Sequence, residues 1–300
     1  MHFLPNLSDR PTFFDMFYRL LILFRGGLVL LIGALPVAGQ TASPPRPEEV
    51  LLQEDFENPA EQLFAQRAIQ HERIDYAPSG GVDGSAGIRV KYEGFDRGSQ
   101  RVVVRYPLSS PVETATLSFD VLFEQDFQWV RGGKLHGLGP ARPITGGKPR
   151  VPDGWSARAT FKDDGHIATY LYDQNTTKKY GVGATSDAPV FSRDQWHHVT
   201  LQVQLNTPSK ADGFSRVFVD GALAVHTKGV AFRGTSGPDT AITQILFSTF
   251  HGGSSPRYTP IDEHGKPTTV HARFDNFKVT AGLVGPPVLK FHRRVGKTAQ

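Results

Sequence analysis

The sequence contains no cysteine. A disulfide framework and a thiolate metal site are therefore excluded, whereas export is not. Long stretches suited to a helix are also scarce, because 31 Gly and 22 Pro punctuate the 300 residues. That composition favours many short strands joined by turns. Neither a βαβ rhythm nor an internal repeat is present. A strong charge of one sign is lacking too: the net charge is +4 and the pI is near 9.2. A mild basic excess fits an anionic partner. The basic residues are scattered along the chain, apart from Lys178-Lys179 and His292-Arg293-Arg294, so no nucleic-acid partner is expected. Hydrophobic residues make up 39% and charged residues 21%. Most of the chain should fold, as one large β domain or two small ones.

The longest apolar region lies near the N-terminus. Arg19 and Arg25 precede the run 26–39, and small residues follow at Val37-Ala38-Gly39. This reads as a secretory signal over 1–39 with cleavage after Gly39. An uncleaved membrane anchor and a start at Met16 are the alternatives. Arg25 and the Gly and Pro residues disfavour a spanning helix. Residues 40–50 read as a linker, 51–280 as the folded domain and 281–300 as a tail. A secreted protein is expected, with membrane contact only through the N-terminal segment and no protein partner.

Alternating patterns mark the strands. A first strand is expected near 52–56, followed by a short helical piece. Further strands are expected at 87–92, at 101–106 with Pro107 as its stop, and at 115–123. Residues 139–153 read as a loop. Strands follow at 155–161, 166–172, 199–205, 214–219, 223–226, 242–250 and 270–279, with Asp220-Gly221 as a hairpin turn. Strand-like segments separated by turns predict an all-β fold, a β-jelly-roll sandwich with a concave groove.

One hairpin carries the chemistry. In 155–161, Trp155, Ala157, Ala159 and Phe161 suit a core, which leaves Ser156, Arg158 and Thr160 on the other face. In 166–172, His166, Tyr170 and Tyr172 share the outward face. Asp163-Asp164-Gly165 fits a three-residue loop. That loop pairs Lys162 with His166, Arg158 with Tyr170 and Ser156 with Tyr172, with β-carbons about 5 Å apart. A two-residue loop would set apolar against polar positions, which the pattern rejects. The ordinary reading of such a cluster is a decorated solvent face. The functional reading is an anionic-sugar site. Arg158 can hold a carboxylate in a bidentate pair. A tyrosine beside a cation can move a proton. Lys134, between glycines upstream, can supply that cation or act as the base itself.

The same residues carry a family resemblance. Gly132-Gly133-Lys134-Leu135-His136-Gly137-Leu138 resembles the GGKLPGL signature of the family 14 polysaccharide lyases. Gly154-Trp155-Ser156-Ala157-Arg158 is similar to its G-[FW]-S-x-R segment, and Tyr170-Leu171-Tyr172 to its Y-x-Y. Trp196-His197, the run 202–208 and Asp212-Gly213 resemble further family segments, as do 249–253 and 273–277. The resemblance covers roughly residues 52–280 and implies a β-jelly roll that cleaves polyuronates by β-elimination. It carries the catalytic lysine, serine, arginine and tyrosines to Lys134, Ser156, Arg158, Tyr170 and Tyr172. His136 stands where proline is usual and His251 where a phenylalanine is usual. These two, with His166, Gln202, Gln204 and Asn206, are the expected substrate-binding positions. Which tyrosine acts as base or acid, and whether Lys134 is the base, stays open.

No metal or cofactor is expected. Asp163, Asp164 and Asp173 lack a complete calcium loop, and His197-His198 face opposite ways on a strand. Two other classes compete. A glycoside hydrolase would need two carboxylates about 5 to 9.5 Å apart, and Asp120, Glu124 and Asp126 are the candidates. A noncatalytic module or lectin for acidic polysaccharide would use the same groove without turnover.

Overall fold

The computed structural model describes residues 49–286. The expected leader lies outside the described residues, as do the linker and tail beyond these bounds. In chain order the elements are β1 (Val50–Glu54), α1 (Leu63–Ile69), β2 (Ile74–Ala77), β3 (Gly87–Phe95), β4 (Gly98–Ser99), β5 (Val102–Val112), β6 (Thr114–Phe123) and β7 (Gly133–Gly139). They continue with β8 (Ser156–Phe161), β9 (Ile167–Tyr172), β10 (Trp196–Gln204), β11 (Gly213–Val219), β12 (Ala222–Val230), β13 (Ile242–His251) and β14 (Thr269–Ala281).

The strands form two antiparallel sheets. One has the order β12-β11-β10-β6-β14-β3-β2, with β1 on β14 and β4 on β3; the other runs β5-β13-β7-β8-β9. The core lies between them. Leu117, Phe119, Val121 and Phe123 of β6 and Val199, Leu201 and Val203 of β10 are fully buried from one side. Ala157, Ala159 and Phe161 of β8 and Ile245 and Phe247 of β13 are fully buried from the other. Alternation along these strands therefore made the sandwich, as the sequence pattern requires. Asp220 and Gly221 close the β11–β12 hairpin with φ of 50° and 84°, the left-handed pair that such a tight turn demands.

Three expectations need correction. Pro107 does not stop its strand: β5 continues to Val112 and contains both Pro107 and Pro111. It is the edge strand of its sheet, where a residue lacking an N–H donor is tolerated. Nor was the Gly-Lys segment among the expected strands. It forms β7, a central strand between β13 and β8, too rich in glycine to show an alternating pattern. Gly137 is required there, because a β-carbon would fall 2.0 Å from the Ala157 carbonyl oxygen and 2.7 Å from Arg158 Cγ.

The third correction concerns His136 and His251, which lie in the core and not over a groove. Between Lys134 and Gly137 the register of β7 shifts against both neighbours. Such a bulge turns consecutive residues the same way, so Leu135 and His136 are both buried. The His136 ring stacks on Phe247 with centroids 4.2 Å apart and meets Phe119 edge-on at 4.7 Å. His251 shares the inward parity of Phe247 and Thr249. It lies against Phe127, and its Nε2 is 2.7 Å from the Gln128 carbonyl oxygen.

Burial pushes both histidines down, His136 well below the ordinary range and His251 from 6.5 to about 4. Above pH 6.5 each is neutral folded or unfolded and adds no pH dependence. Below it the unfolded chain takes up protons that the folded chain refuses, so stability falls with pH. We expect the melting temperature to drop between pH 6.5 and about 4. His251→Phe should flatten that limb by on the order of 3 kcal/mol, read by thermal melts across pH. An unchanged slope would contradict it.

Candidate active site

The site is built on the outward face of the smaller sheet. The β8–β9 hairpin has the register that its loop length dictates: Ser156 opposes Tyr172, Arg158 opposes Tyr170 and Thr160 opposes Ala168. Asp164 and Gly165 take the left-handed conformations of the loop, at φ 55° and 78°. On the other side of β8, Lys134 of β7 opposes Thr160, and it opposes Phe250 of β13. Gly132, at φ +113°, turns the chain into β7 so that Lys134 points outward.

Lys134 Nζ lies 3.5 Å from the centre of the Tyr170 ring. Arg158 is buried, and its Nε has no hydrogen-bond partner among the described residues. Each group is shifted in a direction with a clear cause. Burial, reinforced by Arg158 and Lys162, pushes the Lys134 ammonium down to about 7. Burial lowers Arg158 to about 10 against the favourable pull of the two tyrosines, so it stays charged at neutral pH. Burial and the neighbouring Tyr172 phenol raise Tyr170 well above an ordinary tyrosine, which keeps it protonated.

These side chains open onto a cavity of about 400 Å³. Its floor crosses the sheet from Val103 and Arg105 of β5, through Leu246, Ser248 and Phe250 of β13, to Tyr170 of β9. Among the described residues, six basic side chains line it (Arg101, Arg105, Arg131, Lys134, Arg158 and Lys162), and no Asp or Glu does. The cations scattered along the sequence are thus gathered in space. Converging positive charge with low-dielectric walls is a receptor for an anion.

The structure brings Lys134, Arg158 and Tyr170 together in this cavity. Ser156 and Tyr172 share their face but lie fully buried beneath the segment 144–150. Ser156 Oγ donates to the Ile144 carbonyl at 2.7 Å, and Tyr172 Oη accepts from Gly147 N at 2.9 Å. His166 stands aside, its Nδ1 3.0 Å from the Ser186 carbonyl oxygen. Gln202 and Gln204 belong to β10 in the other sheet, and Gln202 Nε2 donates to the Val284 carbonyl at 2.8 Å. Asn206 follows them and braces Arg233 through its backbone at 2.9 Å in both directions. None of these four lines the cavity.

Several lining residues were not foreseen: Arg101, Arg105, Arg131, Lys162, Phe250 and Tyr180. A signal existed for some of them. Arg101 and Arg105 alternate with Val102 and Val104, and Lys162 continues the parity of Ser156, Arg158 and Thr160. Loop residues such as Arg131 and Tyr180 carry no period to read.

The acids proposed for hydrolysis are occupied elsewhere. Burial alone would push Glu124 up, but ion pairs with Arg89 at 2.7 Å and Arg273 at 2.8 Å hold it at about 2. A carboxylate so held cannot donate a proton to a leaving group at neutral pH. Asp126 pairs with His271 at 2.6 Å and Asp120 with His198 at 2.7 Å. Glu124, Asp126 and His271 do converge, but the two arginines already neutralise Glu124. Among the described residues, no helix is long and apolar enough to cross a membrane.

Known proteins share this architecture. The marine PL-14 alginate lyase from Aplysia kurodai superposes with a TM-score of 0.59 at 21% identity, covering 79% of this chain and 99% of that one. An alginate lyase from Chlorella virus gives 0.58 at 19% identity, covering 78% and 100%. The endo-β-1,4-glucuronan lyase from the fungus Trichoderma reesei gives 0.50 at 15% identity, covering 69% and 86%. At such identities the likeness is one of fold. No curated protein matches by sequence. The sequence profile of Polysaccharide lyase 14 matches residues 96–277, more than half of the chain and the whole segment that carries Lys134, Arg158 and Tyr170. The chain belongs to the polysaccharide lyase 14 family.

Proposed function

We propose that this protein cleaves an anionic polyuronate by β-elimination and leaves a 4,5-unsaturated uronic end. The observation that carries the reading is the contact of Lys134 with Tyr170 beside Arg158, inside a cavity lined, among the described residues, by basic side chains and by no carboxylate. A uronate in a chain has an acidic C5 hydrogen next to its carboxylate. Its removal sends charge into the carboxyl group as an enediolate, and the C4–O bond then breaks as the C4=C5 double bond forms. Fixed positive charge where the enediolate develops lowers the barrier. Arg158, charged at neutral pH, takes that role, with Arg105 behind it.

Lys134 is the base. An ammonium brought down to about 7 is in large part neutral at physiological pH, which suits proton abstraction. Tyr170, kept protonated by burial, donates to the departing C4 oxygen, and Lys134 or solvent then restores its proton. Ser156 needs no nucleophilic role, since elimination forms no covalent enzyme intermediate. The substrate class is an acidic polysaccharide. Relatives that act on alginate and on glucuronan put both polymers in the test. A polymer is met outside the cell, which agrees with reading residues 1–39 as an export signal. No metal or cofactor enters this scheme.

Ultraviolet absorbance of the unsaturated product tests the reading directly on mannuronate and guluronate blocks and on polyglucuronate. Absorbance should rise on at least one of them. New reducing ends without absorbance would mean hydrolysis, and binding without either would mean a lectin. Lys134→Ala should lower kcat by about 10²- to 10⁴-fold, the usual share of a general base. Arg158→Ala should cost about as much as an electrostatic transition-state donor, roughly 10²- to 10³-fold.

The pH profile follows from the sign of the Lys134 shift. Only the neutral amine accepts the proton, so kcat/KM should rise with pH through about 7. The limb should vanish in Lys134→Ala. A limb surviving in that variant would move the base to another group.

A further inference from the structure

The segment 144–150 takes no part in the chemistry above, yet it is anchored firmly over the end of the site. Gly146 and Gly147 turn it at φ +67° and +79°. Gly147 N donates to Tyr172 Oη at 2.9 Å, and the Ile144 carbonyl accepts from Ser156 Oγ at 2.7 Å. The Arg150 guanidinium lies 4.4 Å from the centre of the Tyr172 ring. Its Nε donates to the Asp173 carbonyl at 2.9 Å, and its terminal nitrogen to the Lys178 carbonyl at 3.2 Å. One side chain thus ties the segment both to β9 and to the stretch beyond it.

That stretch carries Tyr180. A β-carbon on Gly147 would stand 3.1 Å from Tyr180 Cε1, so ring and backbone are in contact. Thr145, Gly146 and Tyr180 all line the cavity, next to Tyr170. At the opposite side the floor ends on Val103 and Arg105 of the edge strand and on Arg101 just before it, with Val103 43% exposed. The cavity is therefore flanked by this segment and Tyr180 on its β8–β9 side and reaches the edge strand β5 on the other. A volume of about 400 Å³ lies toward the small end of ligand pockets, which span about 300–1,000 Å³. It holds a short stretch of sugar chain.

We propose that the segment 144–150 walls one end of the groove and makes it blind, so that a polyuronate is bound by one terminus and short products are released from that end. Arg150 is the positioning residue: it holds the wall through Tyr172 and touches no substrate. The inference rests on the polyuronate reading of the same cavity. It adds that Arg101 and Arg105 meet the carboxylates of the sugars that continue out of the open side.

The test uses a uronate tetramer carrying a bulky fluorophore at its reducing or its non-reducing terminus. Binding is measured to the full chain and to Lys134→Ala, in which turnover should be slowed. One of the two labels should weaken binding about tenfold or more relative to unlabelled tetramer, and the other should not. Arg150→Ala should reduce that difference at an unchanged melting temperature. Arg150→Lys should not restore it, because an ammonium lacks the planar stacking and the fork of donors. Equal effects of the two labels would overturn the blind groove. On polymer, viscosity should fall slowly for each double bond formed by the wild type and faster in Arg150→Ala. A rapid fall in the wild type would overturn the proposal as well. If no polyuronate yields an unsaturated product, elimination fails, and the two labels still decide whether the groove is blind.

Discussion

Burial of cations that cannot separate governs the chemistry of this molecule. Lys134, Arg158 and Lys162 project from neighbouring strands or their ends, at spacings set by the ladder hydrogen bonds. In water three such charges would swing apart and stay hydrated. Here burial removes the water and the strands remove the freedom, so the ammonium with the most to lose gives up its proton most easily. The arrangement costs folding free energy, and the aromatic interior that offsets it is correspondingly large. Phe119, Phe123, Phe127, Phe161, Phe247, Phe274 and Phe277 are all fully buried.

The backbone that makes this burial possible is itself unusual. β7 must pass close enough to β8 for Lys134 and Arg158 to share one cavity, and a side chain at Gly137 would prevent that approach. The bulge between Lys134 and Gly137 resolves a second conflict. It sends Lys134 outward while Leu135 and His136 both go inward. Chemistry and core are thus served by adjacent residues of one short strand, where strict alternation would serve only one of them. His136 is held by aromatic faces, with Nδ1 accepting from Ser248 N at 3.3 Å.

The expected site and the observed cavity overlap without coinciding. The register of the hairpin made Ser156, Arg158, Tyr170 and Tyr172 neighbours, and they are neighbours. Half of that row is covered. Ser156 and Tyr172 hold the 144–150 segment, while Arg158 and Tyr170 face the cavity. Two pairs with one chemical character have separate structural duties, because a loop of glycine, proline and basic residues folds back over one pair only. Parity places a side chain on a face; it does not say what else will occupy the space above it.

Sequence alone determined the elements whose signal is local. Strand alternation from Ala115 to Phe123 and from Val199 to Leu205, the Asp220-Gly221 turn and the pairing of Arg158 with Tyr170 all follow from a period of two and a loop of known length. Those rules act between residues near one another in the chain, so they can be read along it. Tertiary structure decided what depends on distant partners. Arg105 shares a cavity with Lys134 only because β5 lies across β13 from β7. His136 and His251 are core residues only because a bulge and a facing sheet make them so. Pro107 continues a strand because that strand happens to be an edge. In each case the deciding atom belongs to another strand or sheet, and no local pattern records it.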